Sequence, residues 1–171
     1  MEEAPTPQGR PDTFARQAEV HKSIIDWLTT EGVTFRAIHH APTFTSEESA
    51  KARNEDIRVG GKAIVMKIDS AFALFVLSAS CKVDSAAIKK LFRAKSIRFV
   101  SSDELHALTG LEPGCVPPFG RPILPFDLYI DESVTKNKNI AFNAGSLTDS
   151  IVMATVDYLR LAQGTRYAFS R

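Results

Sequence analysis

Lys62 is the leading candidate for a ligand-binding cation in this sequence. It follows Gly60 and Gly61 at the start of an aliphatic run that ends at Ile68. The run predicts a strand, and the glycines leave room beside the lysine for a ligand phosphate or carbonyl group. Lys67 lies five residues further on, so strand periodicity predicts that its side chain points to the opposite face of the sheet. A solvated lysine at a strand end is the alternative interpretation of Lys62.

A loop rich in glycine and proline is the second candidate. Residues 110–120 contain Gly110, Gly114 and Gly120 together with three prolines. The glycines leave the backbone accessible, whereas the prolines restrict its freedom. Amide groups in such a loop can bind a carbonyl, a carboxylate or a developing oxyanion. An ordinary rigid crossover loop is the alternative interpretation.

A turn of small residues follows later in the chain, at positions 142–146. Within it, the amide of Asn143 can donate and accept hydrogen bonds, and Ser146 offers a hydroxyl group. Turn formation explains both residue types better than catalysis does.

The usual catalytic motifs are weak. Cys115 lies in the glycine loop and is a candidate nucleophile, but no cysteine-protease motif surrounds it. His39 and His40 have no partner at a metal-ligand spacing, and neither a P-loop nor a G-x-G-x-x-G motif is present. We therefore expect no metal and no cofactor.

The charge is distributed unevenly along the chain. The formal net charge is only +1, yet residues 57–98 carry nine basic and two acidic side chains, a local charge of +7. Electrostatic attraction at contact range depends on charge within about one Debye length, ~8–10 Å. The middle segment can therefore attract a polyanion, and a solvated helix face is the alternative interpretation.

Composition sets the class of protein. The chain has 171 residues, 44% of them hydrophobic and 24% charged, which is typical of a single globular domain. It has two cysteines and no apolar stretch near Met1, which favours a reducing, cytoplasmic location over a secreted disulfide scaffold. The longest nearly uncharged apolar run, 70–81, is much shorter than the ~20 residues that cross a bilayer. We expect a monomer or weak dimer with no membrane partner.

Local patterns predict the elements that position these residues. Thr45 with Glu48 forms a capping-box pattern, and Asp84 and Ser101 can cap later helices. Periodicity predicts helices at 13–31, 46–53, 84–94, 101–108 and 156–163, and strands at 33–38, 62–68, 71–79, 97–100, 126–130, 138–142 and 150–154.

Clustered strands with separate helices favour a single α+β domain that has a mixed, curved β-sheet and flanking helices. We place a disordered leader at residues 1–12, the domain at 13–164 and a C-terminal tail at 165–171.

Four short blocks together resemble the YbaK and prolyl-tRNA synthetase-associated editing-domain family, in order and in spacing. They are 40–48 (HAPTFTSEE), 61–66 (GKAIVM), 114–120 (GCVPPFG) and 142–146 (FNAGS). The resemblance extends over residues 20–163. It implies a mixed α+β fold, and it implies that the chain is a free-standing member of this family. It implies a trans-acting deacylase, a carboxylic ester hydrolase that removes a small wrong amino acid from tRNA-Pro or a related tRNA. The implied partners are misacylated tRNA and a synthetase.

The resemblance also implies roles for particular residues. Lys62 matches the family's strand lysine and would engage the terminal adenosine phosphate. Amides of the loop, at Gly114, Cys115 and Val116, would hold the ester carbonyl while water attacks with help from the free ribose hydroxyl. The family's substrate-binding loop runs to Gly120, so the implied substrate-binding and pocket residues are Phe44, Thr45, Ile64, Met66, Pro117, Pro118, Phe119, Gly120, Asn143, Ala144, Gly145 and Ser146.

The turn at 143–146 departs from the best-known subgroup, because some members place a histidine there. The basic residues Lys89, Lys90, Arg93 and Lys95 are the expected peripheral tRNA contacts. Two other hypotheses stay open: a non-catalytic module that binds an aminoacyl-tRNA or nucleotide end and regulates a synthetase, and a Cys115-dependent hydrolase unrelated to tRNA.

Overall fold

Eight strands and six α-helices make up the residues that the structure describes. The computed structural model describes residues 11–171. The strands are β1 (Phe35–His39), β2 (Gly61–Ile68), β3 (Ala71–Ser78), β4 (Ile97–Phe99), β5 (Asp127–Asp131), β6 (Asn139–Asn143), β7 (Asp149–Ala154) and β8 (Thr165–Tyr167). The helices are α1 (Pro11–Thr30), α2 (Ser46–Arg53), α3 (Ser85–Leu91), α4 (Ser102–Thr109), α5 (Glu132–Thr135) and α6 (Thr155–Ala162), with a 3-10 helix at Ile57–Val59.

The strands form two sheets. The larger has the order β4-β2-β3-β5-β8, in which β4, β2 and β3 are antiparallel neighbours and β3, β5 and β8 are parallel neighbours. The smaller has the antiparallel order β1-β7-β6. A single parallel bridge between Gly60 and Ala141 connects the edge of β2 to β6. The prediction of one α+β domain with a mixed sheet and flanking helices is confirmed.

The β2–β3 hairpin forms the centre of the larger sheet. Its register places Lys62 opposite Leu77, and Leu74, Phe75, Val76 and Leu77 of β3 are fully buried. The short strand β4 pairs only with Met66, Lys67 and Ile68 of β2. The half of β2 that carries Lys62 therefore has an edge that β4 does not cover.

Two hydrophobic clusters lie on opposite faces of the hairpin. Val65 and Val76 pack in the cluster that also contains α1, α6 and the smaller sheet, with Phe119 in edge contact with Trp27, Phe142 and Tyr158. Met66, Phe75 and Leu77 pack in the second cluster, with Ile88 of α3 and Phe169. Alternate residues of a strand point to opposite faces, which is why neighbouring residues belong to different clusters.

The predicted helix caps are present. Thr45 accepts a hydrogen bond from the Glu48 amide at 3.1 Å, and Asp84 accepts one from the Ala87 amide at 3.1 Å. Ser101 forms a full capping box with Glu104. The Glu48 carboxylate, in contrast, bonds the amide of Phe44 at 2.7 Å, so only half of the predicted box at Thr45 forms.

Several predicted boundaries differ. Helix α3 ends at Leu91 rather than near residue 94, and β5 begins at Asp127 after a turn. The segment 165–171, expected as a tail beyond the domain, carries β8 and buries Phe169 completely. The expected leader lies outside the described residues except for its last two positions, which belong to α1. None of the helices among residues 11–171 combines the length and apolarity needed to cross a membrane.

Candidate active site

A small cavity of about 150 Å³ opens beside the uncovered edge of β2. It lies between α2, the start of β2 and the glycine loop. Its lining consists of Thr43, Phe44, Thr45, Ser46, Ser49, Arg53, Gly60, Gly61, Lys62, Ala63, Ala79, Gly114, Val116 and Asn143. The structure thus brings together six of the residues proposed from the sequence: Phe44, Thr45, Lys62, Gly114, Val116 and Asn143.

Lys62 is half-buried in the wall of this cavity, and its Nζ donates a hydrogen bond to the carbonyl of Cys81. Burial lowers the pKa of Lys62 below the ordinary lysine value, and nearby Lys82 lowers it further, while Glu47 opposes the change. In its protonated form the Nζ group has three N–H donors and no acceptor. The cavity wall therefore carries a hydrogen-bond donor that can bear a positive charge.

The two glycines before Lys62 allow close packing of the surrounding chain. A Cβ atom on Gly61 would lie 2.6 Å from Cδ1 of Ile140, and one on Gly60 would lie 2.9 Å from Cβ of Ala79. Both distances are shorter than any normal contact. The glycines therefore allow β2 to approach the smaller sheet and leave the mouth of the cavity open.

One glycine of the loop, at the cavity, has a backbone conformation that residues with a side chain rarely adopt. Gly114 has φ of +87°, and a Cβ atom there would lie 2.9 Å from Cδ2 of Leu147. A residue with a side chain is disfavoured at this φ and would also collide with Leu147. Gly114 thus lets the loop backbone form part of the cavity wall.

Cys115 is not available as a nucleophile. Its side chain is fully buried, and burial raises the pKa of the thiol to about 11. The thiolate that would attack an ester is therefore scarce at neutral pH. Its amide is also occupied, because it donates to the carbonyl of Glu112 at 3.1 Å. Burial of the thiol therefore argues against a Cys115-dependent hydrolase, and the bond to Glu112 argues against the expected role of the Cys115 amide.

Arg53 is a charged cavity residue that the sequence analysis missed. It is the last residue of α2, and only 6% of its surface is exposed. Its Nε donates to Oγ of Ser150 at 2.9 Å, and its Nη2 donates to Oδ1 of Asn143 at 2.9 Å. Burial lowers the pKa of Arg53 to about 10, so the guanidinium stays charged. A basic residue at the end of a helix is so common that no local signal distinguishes this one.

Asn143 connects Arg53 to the glycine loop. Its Oδ1 accepts from Arg53, and its Nδ2 donates to the carbonyl of Gly114 at 2.8 Å. The amide side chain uses its acceptor on one side and its donor on the other. The Arg53–Asn143–Gly114 chain of hydrogen bonds therefore ties the loop to α2 across the cavity.

Hydroxyl groups give the opposite wall its polarity. Thr43 and Ser49 are buried and hydrogen-bonded to each other through their hydroxyl oxygens, 2.8 Å apart. Ser46 of α2 also lines the cavity, and Phe44 lies at its rim with 67% of its surface exposed. The cavity can thus bind a small polar group inside and an aromatic or apolar group at the rim.

Other residues predicted for substrate binding lie outside this cavity. Met66 and Phe119 are fully buried in the two hydrophobic clusters, and Ile64 lines a neighbouring groove. Ser146 is buried and donates to Asp149 at 3.0 Å, so its hydroxyl is structural. The remaining ones are buried backbone or packing positions: Pro117, Pro118, Gly120, Ala144 and Gly145. Their small size and apolarity serve packing, which is why sequence alone did not separate them from lining residues.

The basic residues proposed as tRNA contacts are exposed. Lys89 and Lys90 lie in the last turn of α3, and Arg93 and Lys95 follow it. Arg93 has φ of +49°, which ends the helix. This exposure is what the predicted tRNA contacts require, and the contacts themselves stay a prediction.

The histidines serve the structure around the smaller sheet. His39 Nδ1 lies 2.8 Å from Oδ1 of Asp149, and His40 Nε2 lies 2.8 Å from Oγ of Ser150. In the part of the chain that the structure describes, no three histidine, cysteine or acidic side chains come together as metal ligands.

Comparison with known proteins finds similarity to aminoacyl-tRNA editing proteins. The profile of the aminoacyl-tRNA editing domain matches residues 40–161. The multifunctional Ser/Thr-tRNA deacylase ProXp-y of Escherichia coli (strain K12) is 31% identical over 164 residues, which cover 92% of this chain and 97% of that protein. A proline–tRNA ligase of Macrococcus caseolyticus (strain JCSC5402) is 23% identical over 128 residues, 75% of this chain and 22% of the ligase.

Solved structures share the fold. A structure described as that of a candidate trans-editing enzyme for prolyl-tRNA synthetase superposes with a TM-score of 0.76 at 19% identity, over 95% of this chain and 98% of that one. The matched profile region, 40–161, includes Lys62, Gly114 and Asn143.

Proposed function

The chain belongs to the aminoacyl-tRNA editing-domain family, and we propose that the cavity at Lys62 is where it hydrolyses its substrate. The activity is that of an aminoacyl-tRNA deacylase acting in trans on misacylated tRNA. The observation that supports the cavity as the active site is the convergence of the Lys62 ammonium, the Gly114 backbone and the Arg53–Asn143 pair around one small opening.

We propose that Lys62 binds the phosphate of the terminal adenosine. An ammonium in a partly buried wall attracts an anion more strongly than one in bulk water, because screening is weaker there. The Nζ group has three donors and uses one on the Cys81 carbonyl. Donors therefore remain for a phosphate oxygen.

The ester carbonyl would be held by loop amides. Because the Cys115 amide is bonded to Glu112, we assign this role to the amides of Gly114 and Val116, which both line the cavity. Donors held in place before the reaction stabilise the developing oxyanion without reorganisation. The Asn143 bond to the Gly114 carbonyl would keep the loop in position.

Water is the nucleophile in this proposal. None of the described residues that line the cavity is a carboxylate, a histidine or a cysteine. The cavity therefore supplies no side chain of the types that usually act as a general base or covalent nucleophile near neutral pH. The free hydroxyl of the terminal ribose, which lies next to the ester, would assist the attacking water.

The cavity favours a small, polar amino acid as the substrate. Its volume is about 150 Å³, and three hydroxyl-bearing residues, Thr43, Ser46 and Ser49, belong to its lining. The relative in Escherichia coli is named a Ser/Thr-tRNA deacylase. We therefore propose tRNA esterified with serine or threonine as the substrate. A pocket that only excludes bulk separates side chains by ~1–3 kcal/mol per methylene, so polar contacts are needed for stronger selection.

Partner and location follow from this substrate. Segments similar to this chain occur within proline–tRNA ligases, which supports tRNA-Pro or a related tRNA as the carrier and an aminoacyl-tRNA synthetase as a partner. We propose the cytoplasm as the location, because aminoacyl-tRNA is made and used there.

A panel of mischarged tRNAs tests the proposal. Purified protein is incubated with tRNA-Pro and other tRNAs carrying alanine, serine, threonine or cysteine, and ester loss is followed with time. We expect hydrolysis of the seryl and threonyl esters, and loss of that hydrolysis in Lys62→Ala. If the protein retards tRNA in a gel without accelerating ester loss, the regulatory binding module is the correct function instead.

A further inference from the structure

A second groove adjoins the cavity. It has a volume of about 260 Å³ and shares Ala63, Gly114 and Val116 with the cavity lining. Its other lining residues are Ile64, Val65, Phe99, Val100, Ser101, Ser102, Leu105 and Pro113. The two spaces are thus neighbours, separated by the loop at Gly114.

The groove exists because β4 is short. Its pairing with β2 ends where Phe99 lies opposite Met66, and the Val100 amide makes one further long contact of 3.4 Å with the Val65 carbonyl. The chain then turns away at Ser101, which caps α4. The uncovered edge of β2 and the first turn of α4 become the two sides of the groove.

Phe99 is a large aromatic side chain that the fold leaves in solvent. It is 54% exposed. Strand periodicity places it on the same face as Ile64 and Lys62, since it pairs with Met66. Ile64 is half-buried and lines the same groove. One sheet face therefore presents the Lys62 cation, an aliphatic residue and an exposed ring in a row.

We infer that this groove binds a purine base, the adenine of the 3′-terminal adenosine of the substrate tRNA, which stacks on Phe99. The inference rests on the proposed function. In an aminoacyl-tRNA the amino acid and the terminal adenine are attached to the same ribose. When the amino acid occupies the cavity, the base must lie in a space next to it, and this groove adjoins the cavity at Ala63, Gly114 and Val116.

The spacing agrees with one nucleotide. Met66, the partner of Phe99, lies four positions along the strand from Lys62, which is about 13 Å at ~3.3 Å per residue. A nucleotide together with the lysine side chain can bridge that distance. The base would rest against Ile64 and Phe99, and the Ser101 and Ser102 positions at the groove wall are polar enough for its nitrogen atoms.

Kinetics with substrates that have or lack the base test the inference. The substrates are seryl-tRNA, 3′-O-seryladenosine and 3′-O-seryl methyl riboside, which keeps the neighbouring ribose hydroxyl but lacks the base, and the variant is Phe99→Ala. Phe14→Ala is the matched control, because Phe14 is 63% exposed on α1. Base stacking on an aromatic residue predicts about a tenfold rise in KM for the two adenosine-bearing esters. The kcat for these two esters and the hydrolysis of the riboside ester should not change.

Two results would overturn the inference. One is an equal loss on the riboside ester and the adenosine esters, which would assign Phe99 a structural role. The other is a base-dependent loss in Phe44→Ala but not in Phe99→Ala, which would place the adenine at the opposite rim of the cavity.

Direct binding separates this inference from the proposed function. Adenosine 5′-monophosphate is titrated into wild type, Phe99→Ala and Phe14→Ala and followed by amide chemical shifts. We expect shifts at Ser101 and Ser102 and about tenfold weaker binding to Phe99→Ala alone. This readout needs no hydrolysis, so an inactive protein that binds the nucleotide at Phe99 would contradict only the deacylase proposal. Equal affinity for all three proteins would contradict the groove.

Discussion

Arg53 donates a hydrogen bond from Nη2 to Oδ1 of Asn143 at 2.9 Å, and this bond joins the last residue of α2 to the last residue of β6. Asn143 continues the connection to the Gly114 carbonyl. The loop over the cavity is therefore linked to a charged group through the amide side chain of Asn143. Arg53 is a positioning residue in this arrangement.

Asn143→Ala should destabilise the protein and slow deacylation. The variant leaves the buried Arg53 with one partner fewer, which costs about 1–3 kcal/mol of unfolding free energy. It also frees the Gly114 loop, so kcat should fall while KM changes little. Denaturant unfolding and steady-state kinetics measure the two effects.

A double-mutant cycle tests whether Arg53 acts through Asn143. We expect Arg53→Lys combined with Asn143→Ala to lose no more activity than the more damaging single variant, since both remove the same connection. Fully additive losses in kcat would show that Arg53 acts independently of the loop.

Lys62→Ala should reduce deacylation on the order of 100-fold, because it removes a charged group that we place on the substrate. The fold should persist, since the side chain is only half-buried. Lys67→Ala is the matched control: Nζ of Lys67 lies 5.5 Å from the centroid of the Phe72 ring, on the other face of β2. Equal losses in the two variants, measured with circular dichroism alongside activity, would argue against the assigned role.

The pH dependence of tRNA binding gives a second readout for Lys62. Burial lowers its pKa, so the ammonium loses its proton at a lower pH than in an exposed lysine. Its contact with phosphate is present below this pKa and disappears as the pH rises through it. The tRNA affinity measured by fluorescence anisotropy should decline as the pH rises through this pKa, and Lys62→Arg should keep its affinity to higher pH. If the affinities of wild type and Lys62→Arg decline over the same pH range, the contact is contradicted.

Cys115→Ser should retain activity within a few-fold of wild type. The thiol is buried, its pKa is raised to about 11, and it does not line the cavity. Mass spectrometry during turnover should show no acyl adduct on Cys115. A covalent adduct together with an inactive serine variant would require the water mechanism to be abandoned.

Gly114→Val should strongly reduce activity, because the new side chain meets Leu147 at a φ of +87°. Gly32→Val is the control: Gly32 also has a positive φ of +68°, but a Cβ atom there meets nothing within 4 Å. Both variants should lose stability from backbone strain of order 1 kcal/mol. Only the Gly114 variant should show a fall in kcat larger than the loss of folded protein explains. Kinetics at a temperature well below the unfolding transition measure this fall.

Neutralising Lys89, Lys90 and Arg93 to glutamine should weaken tRNA binding and flatten its salt dependence by about 2–3 in slope, because fewer counterions are released. Hydrolysis at saturating tRNA should survive. An equivalent triple change at the exposed residues Lys136, Lys138 and Arg166 serves as the control. If both triple variants bind with the wild-type salt slope, the α3 surface is not on the tRNA path.

Local sequence signals were sufficient to predict most of the helices and strands. The caps at Asp84 and Ser101 and the β2–β3 hairpin depend on neighbouring residues, and the structure contains them close to the predicted bounds. Strand β8 was missed because its three residues, Thr165 to Tyr167, contain no aliphatic side chain and are mostly exposed, whereas the equally short β4 begins with Ile97. Its formation depends on parallel pairing with β5 and on the burial of Phe169, which no local pattern encodes.

The sequence alone determined the fold class and predicted Lys62 and Gly114 as site residues, because glycine beside a cation or in a tight loop is a local feature of the chain. Only the tertiary structure decided which other residues meet there. Arg53 and Asn143 are 90 positions apart, and their bond forms because α2 packs beside the end of β6. A buried guanidinium needs hydrogen-bond partners. Packing between distant segments of the chain decides which residues can be those partners.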